Sequence, residues 1–200
     1  MKYFSKLPKI YQSDFAGNYY AATNLMTRVN IIPEILSNPL LYYSYDIQDG
    51  DTPEIVAQKY YGSTDFFWVV LFSNQNLDPQ WEWPLSNQNF EQYIIDKYGS
   101  LEEAETQIHH YEFKKTTQTS ADSEVSEEIV IIDAAEYANV TPSSTSYSLT
   151  GETVTVTTDA YPVYAYTYEL NENESRRSIN LLDVKYLNSI TQQFERLTEQ

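Results

Sequence analysis

Two histidines, His109 and His110, are the only imidazoles in a 200-residue chain that has no cysteine. Neighbours in a strand point to opposite faces, so the pair cannot serve one metal ion unaided and reads as structural. Without a thiol there is no disulfide framework, Fe–S cluster, cysteine-bound zinc or cysteine nucleophile, which fits a reducing compartment. Carboxylates are abundant, as in Asp49/Asp51 and Glu102/Glu103/Glu105. Acid/base hydrolysis needs two carboxyls of separated pKa in one cleft, and no spacing here selects such a pair. The glutamate triplet reads instead as the solvated face of a short helix. No phosphate-cradling glycine loop, nucleophile elbow or His-Glu-x-x-His pattern occurs, and five glycines leave little material for one. No catalytic residue, metal ligand or cofactor is assigned, and the chain reads as a non-enzyme.

The groups that remain candidates surround one turn. Tyr43–Ile47 alternates like a half-buried strand and runs into Gln48-Asp49-Gly50-Asp51, where Gly50 can take a positive φ. Thr52 suits a helix N-cap, Pro53 the first helical position, and Glu54 the positive end of the helix dipole. That helix should end at Gly62. A second helix, capped by Ser63 or Thr64, should reach about Ser73 with apolar residues on two faces and so be buried on most sides. Asp78-Pro79 and Trp83-Pro84 break regular structure around Trp81 and Trp83, and Asn89–Tyr98 reads as a third helix closed by Gly99.

The flanks differ in character. Leu25, Val29, Ile32 and Leu36 form a single helical stripe within an N-terminal arm, residues 1–41, although Pro33 should kink or end the helix. At the other end Asp183 caps a helix from Val184 to about Thr198 whose stripe is Tyr186, Ile190, Phe194 and Leu197. Between the third helix and Ser175 the period changes. Ile108–Phe113, Glu128–Ile132, Thr153–Thr157 and Tyr161–Tyr168 read as strands of a small antiparallel sheet or long hairpin arm.

Charge follows the same division. The chain carries −17, and residues 116–175 hold eleven carboxylates and no Lys or Arg. Seventeen of the 43 residues from Thr116 to Thr158 are Ser or Thr, so this segment should solvate easily or lie against a basic neighbour. Such a charge disfavours nucleic acid and anionic membrane, whose binding needs clustered cations. Nineteen tyrosines argue against an unfolded acidic chain. The N-terminal Lys2 to Pro8 lacks a following apolar region, so no secretory signal is expected there, and no run of about 18 apolar residues is present to span a membrane. The chain is expected to be soluble and to stay in the cytoplasm where it is made.

The run Tyr45-Asp46-Ile47-Gln48-Asp49-Gly50-Asp51-Thr52-Pro53-Glu54-Ile55, closed by Tyr60-Tyr61-Gly62, resembles the opening of a LysM module. That resemblance implies a βααβ fold with a return strand within Asp78–Leu85. Trp68, Phe72 and Trp81-Glu82-Trp83 depart from the usual module and point to a narrower resemblance. Together with Phe67–Leu71, Asn74 before Asp78-Pro79, Trp83-Pro84-Leu85 and Asn89–Ile94, the chain resembles the LysM-like baseplate wedge subunit of contractile-tailed bacteriophages. The flanking Tyr3–Pro8, Ile108–Glu112 and Arg177–Leu182 agree with it, whereas the acidic segment lies outside the pattern.

Four divisions of an α+β chain follow: a helical arm (1–41), the LysM-like module (42–99), the acidic β-rich insertion (100–175) and a C-terminal helix (176–200). The resemblance implies a structural virion protein of the tail baseplate that joins wedges to one another and to the central hub. Its partners would be other wedge subunits, neighbouring wedges and hub proteins. Tyr45, Gly50, Asp51, Thr52, Asp78, Trp81 and Trp83 are then interface candidates, and the terminal helix packs in the wedge. The alternative implied by the LysM likeness is a peptidoglycan-type glycan held beside the Gly-Asp-Thr turn, with Trp81 or Trp83 stacking on the sugar.

Overall fold

A computed structural model describes residues 3–26, 38–76, 78–120, 125–149 and 151–198 of the chain. The chain is α+β and divides into two compact units, one formed by residues 1–88 and 173–200, the other by residues 89–172. No described helix is long and apolar enough to cross a membrane.

The first unit opens with a hairpin of β1 (Lys9–Ser13) and β2 (Tyr19–Thr23), which the sequence reading missed. The helix expected over Asn24–Leu36 falls almost wholly outside the described residues. Strand β3 (Tyr42–Asp46) then enters the Gly50 turn, where φ is 77°. Helix α1 (Pro53–Tyr61) starts where Thr52 Oγ1 accepts from the Ile55 amide and stops at Gly62 in left-handed geometry, φ 76°. A 3₁₀ turn capped by Ser63 leads into α2 (Phe67–Ser73), buried at Trp68, Val69, Val70, Leu71 and Ser73.

The expected return strand within Asp78–Leu85 is absent, because Asp78 caps a short helix, α3 (Pro79–Glu82). Its place beside β3 is taken by β8 (Ser178–Leu182), antiparallel, with Tyr42 opposite Leu182 and Asp46 opposite Ser178. Alternation along β8 sends neighbouring residues to two cores. Ile179 and Leu181 join Ile47, Val56, Ala57, Val70, Leu71 and Trp83. Leu182 joins Leu7, Trp68, Val69 and the last helix, α8 (Leu187–Thr198). A strand from the far end of the chain is therefore the wall that both apolar clusters need, and the expected boundary of the module at residue 99 does not hold.

The stripe of α8 also shifts. Leu187, Ile190, Phe194 and Thr198 are buried and Tyr186 half-buried, but Leu197 is 52% exposed. Ile190 and Phe194 keep their places: a 3₁₀ turn at Val184–Tyr186 changes the phase before α8 begins and puts Leu187 in the stripe, and at the far end Thr198, four residues after Phe194, is buried in place of Leu197. Phe194 sits 4.9 Å from the Trp68 ring, so α8 belongs to the core of this unit and is not a separable arm.

In the second unit α4 (Asn87–Tyr98) and α5 (Leu101–Thr106) precede a sheet. Its strands are β4 (Ile108–Thr119), β5 (Val125–Ile132), β6 (Ser143–Leu149) and β7 (Glu152–Tyr164), all antiparallel neighbours in the order β5-β4-β7-β6. A short α6 (Ala134–Asn139), closed by an Asp133/Glu136 capping box, stacks Tyr137 on Tyr111 at 4.3 Å. The strand expected over Tyr161–Tyr168 ends at Tyr164, and α7 (Ala165–Ser175) begins there.

Candidate functional site

Of the groups singled out around the Gly-Asp-Thr turn, Tyr45 and Trp83 meet at Asp51, which is only 8% exposed. The Tyr45 hydroxyl donates to Asp51 Oδ2 at 3.0 Å and Lys59 Nζ to Oδ1 and Oδ2 at 2.7 and 2.9 Å. Trp83 Nε1 donates to the Asp51 carbonyl at 2.7 Å. Each partner comes from a different element: β3, α1 and the segment after α3. Burial, then the hydrogen bond to Asp51, pushes the Tyr45 phenol up, and the same carboxylate raises Lys59. Asp49 Oδ1 accepts from the Asn87 amide at 2.7 Å, at the positive end of α4. These contacts saturate the turn from inside.

The return path of the chain is pinned to the same region. Asn173, 5% exposed, accepts from the Leu85 amide at 2.7 Å and donates to the Leu85 carbonyl at 3.2 Å. Arg176 donates to the Trp81 carbonyl at 2.7 Å, and Arg177 reaches both oxygens of Glu174 and, at 3.4 Å, the Ile47 carbonyl. Asn74, at the end of α2, exchanges two hydrogen bonds with the Asn180 backbone. Arg176 and Arg177, the first cations after the acidic segment, are thus spent on the first unit's own backbone and on Glu174.

The two tryptophans separate. Trp83 is buried at 8% exposure and closes the core, whereas Trp81 is 68% exposed. Beside the turn an open cleft of about 500 Å³ carries the side chains of Asp46, Gln48, Asp49, Asn87, Glu174 and Arg177, with Ile47. None of these offers an aromatic platform for a sugar.

In the second unit two clusters stand out. His109 and His110 do not face opposite ways, because the register moves from Ile108 opposite Tyr164 to His110 opposite Val163, a bulge that brings the rings together. Their Nδ1 atoms lie 2.8 Å apart, His110 Nε2 is 3.2 Å from Glu112 Oε1, and Glu112 Oε2 accepts from Tyr161 at 2.8 Å. One tautomer satisfies the chain: His109 Nδ1 donates to His110, and His110 Nε2 donates to Glu112. The Glu112 hydrogen bond and burial push Tyr161 up to about 12. Tyr168 stacks on His109 at 3.9 Å. No group of three or more metal-ligating side chains occurs among the described residues.

The second cluster, missed by the sequence reading, centres on Glu169 at 8% exposure. Lys97 and Tyr98 donate to Oε1 at 2.6 and 2.8 Å, and Tyr93 to Oε2 at 3.0 Å. Burial pushes this carboxyl up, but the three donors outweigh it and hold it below its ordinary value. The spacing of Tyr93 and Lys97 on one helix was the available signal.

A family model described as base plate wedge protein 53 matches residues 22–197. Those bounds enclose the acidic segment expected to lie outside the pattern, and they begin near the end of β2. Baseplate wedge protein gp53 of Enterobacteria phage T4 is 34% identical over 58 residues, which are 29% of this chain and 30% of that protein. The alignment thus spans under a third of that relative's length.

Proposed function

The chain belongs to the base plate wedge protein 53 family, structural components of the phage tail baseplate in the virion, and from that premise we propose that it joins wedges to one another and to the hub. In this reading the LysM-like element is a scaffold and not a binding groove. The observation that carries it is Asp51: its side chain and carbonyl are committed to Tyr45, Lys59 and Trp83 within the unit, so the residue at the centre of the turn holds the fold together. Glycan recognition draws no support from this geometry, since Trp83 is buried and the neighbouring cleft is lined by charged and amide groups. The wedge contacts then fall to exposed residues such as Trp81 and the Asp78-Pro79 segment, because a projecting indole supplies large contact area at low entropy cost.

Tail assembly in the presence of Trp81→Ala is the test. The isolated variant should melt like the parent while its affinity for the growing baseplate drops by about 2 kcal/mol, roughly thirtyfold. Normal incorporation would remove Trp81 from the interface. Retention of the parent on purified peptidoglycan, lost in the variant, would restore the glycan reading.

A further inference from the structure

The two edges of the second unit's sheet are built differently. Along β6 the hydroxyls of Ser143, Ser144 and Ser146 are turned to Thr158, Thr157 and Thr155 of β7, a polar ladder at 2.8, 3.4 and 2.9 Å. The other edge, β5, is an eight-residue strand in unbroken register with β4 from Val125 to Ile132. Ile129, Val130 and Ile131 are 50%, 47% and 70% exposed there. Alternation places Ile129 and Ile131 on one face and Val130 on the other, so an added strand would find apolar neighbours on both.

Soluble proteins blunt such an edge with lysine or other charges, proline or a bulge, and of these β5 carries only Glu127 and Glu128. Its two acids are answered from within the sheet, Glu127 by Lys114 at 2.8 Å and Glu128 by Lys115 at 3.7 Å. The surroundings are a different matter. Residues 89–172 hold sixteen carboxylates and three lysines, a net −13. All three lysines are already paired, the third with Glu169. An incoming strand therefore meets an apolar, locally neutral edge inside a strongly negative field.

The geometry points to β5 as a docking edge that takes an extended strand of a neighbouring baseplate protein, with apolar side chains alternating with Lys or Arg. Main-chain hydrogen bonds along this edge, which no strand pairs among the described residues, supply affinity, and the negative field supplies selectivity and speeds encounter. The inference rests on the baseplate reading for where the neighbour is found, but not for the chemistry of the edge.

The experiment compares amide exchange by mass spectrometry in the purified chain and in assembled tails. Detection of the chain in tails tests the baseplate reading; protection of alternate amides of Val125–Ile132 only in tails tests the edge. A chain present in tails with β5 exchanging as in the free protein overturns the edge and leaves the baseplate role intact. Ile131→Lys and Ile131→Glu test the chemistry, since residue 131 is exposed and either variant should melt like the parent. Lysine should cut incorporation about tenfold or more, because like charges juxtaposed in an interface cost several kcal/mol, and glutamate much less. Equal losses, or a worse glutamate variant, overturn the basic partner. Protection of β5 that rises with concentration in the purified chain identifies a second copy as the occupant and overturns the proposal as stated.

Discussion

The two units of this chain solve the same problem with opposite resources. Residues 1–88 with 173–200 carry nine cations against thirteen carboxylates and enclose two apolar clusters around one shared strand, β8. Residues 89–172 carry −13, and their four-stranded sheet leaves most of its side chains half or fully exposed. In the first unit stability comes from burial, and polar groups such as Asp51 and Asn173 serve as joints between segments far apart in sequence. In the second, helices α4 and α7 are joined by a hydrogen-bonded cluster, Glu169 with Tyr93, Lys97 and Tyr98. A baseplate component built this way has one unit shaped by its interior and one shaped by what lies outside it.

The largest expected effect breaks the comparison if it fails. Trp68→Ala removes a 2% exposed indole that packs on Tyr3, Phe72 and Phe194, and should cost about 3–5 kcal/mol, read by urea unfolding and by exchange of β3 and β8 amides. Val154→Ala, at a buried site of the sheet, should cost only about 1–2 kcal/mol. Equal losses would mean that the sheet depends on its core as heavily as the first unit does.

Next in size is Glu169→Gln, which removes the charge and replaces one accepting oxygen with an NH2 donor, so that the remaining hydrogen bonds weaken and at least one donor loses its acceptor; it should destabilise the second unit by about 1.5–3 kcal/mol. Acid does the same to the parent. The folded carboxyl lies below its ordinary value of 4.5. Its contribution is therefore complete above the unfolded pKa and is lost as pH falls through the folded one. Exchange of the amides of α4 and α7 should accelerate in that acidic window in the parent but not further in the glutamine variant. An unchanged acid response in the variant would place the sensitivity elsewhere.

How much of this was legible depended on whether the information was local. Thr52, Pro53, Glu54 and Gly62 specify where α1 begins and ends through contacts within one turn, and the sequence carries them openly. The partner of β3 could not be read this way. Ser178–Leu182 follows Arg176-Arg177 and looks like a short charged connection, and only the demand of two cores for Leu181 and Leu182 selects it. Helix α7 was hidden by the β-propensity of Tyr161–Tyr168, while its buried positions, Ala165, Glu169 and Asn173, do recur at helical spacing but include polar residues that a search for apolar stripes passes over. Of the candidate residues, Tyr45, Asp51 and Trp83 meet, but a shared segment does not show direction: Trp83 is buried and Trp81, two residues before it, is exposed.

The smallest effect asks whether the two units differ in how firmly they hold a turn. Gly50 has φ 77° and Gly151, in the β6–β7 hairpin, φ 91°, and a Cβ added at either meets nothing within 4 Å. The first added carbon therefore meets no clash, and the main cost of valine is the left-handed backbone itself, about 1–2 kcal/mol at each position. In Gly50→Val the chain cannot relax without moving Asp51 away from Tyr45, Lys59 and Trp83, so the full strain should appear as lost stability of the first unit. In Gly151→Val no such anchor holds the hairpin end among the described residues, so less of the same strain should reach the thermal midpoint. Equal losses from both substitutions, measured by thermal unfolding with local amide exchange, would show that the hairpin is held as firmly as the anchored turn.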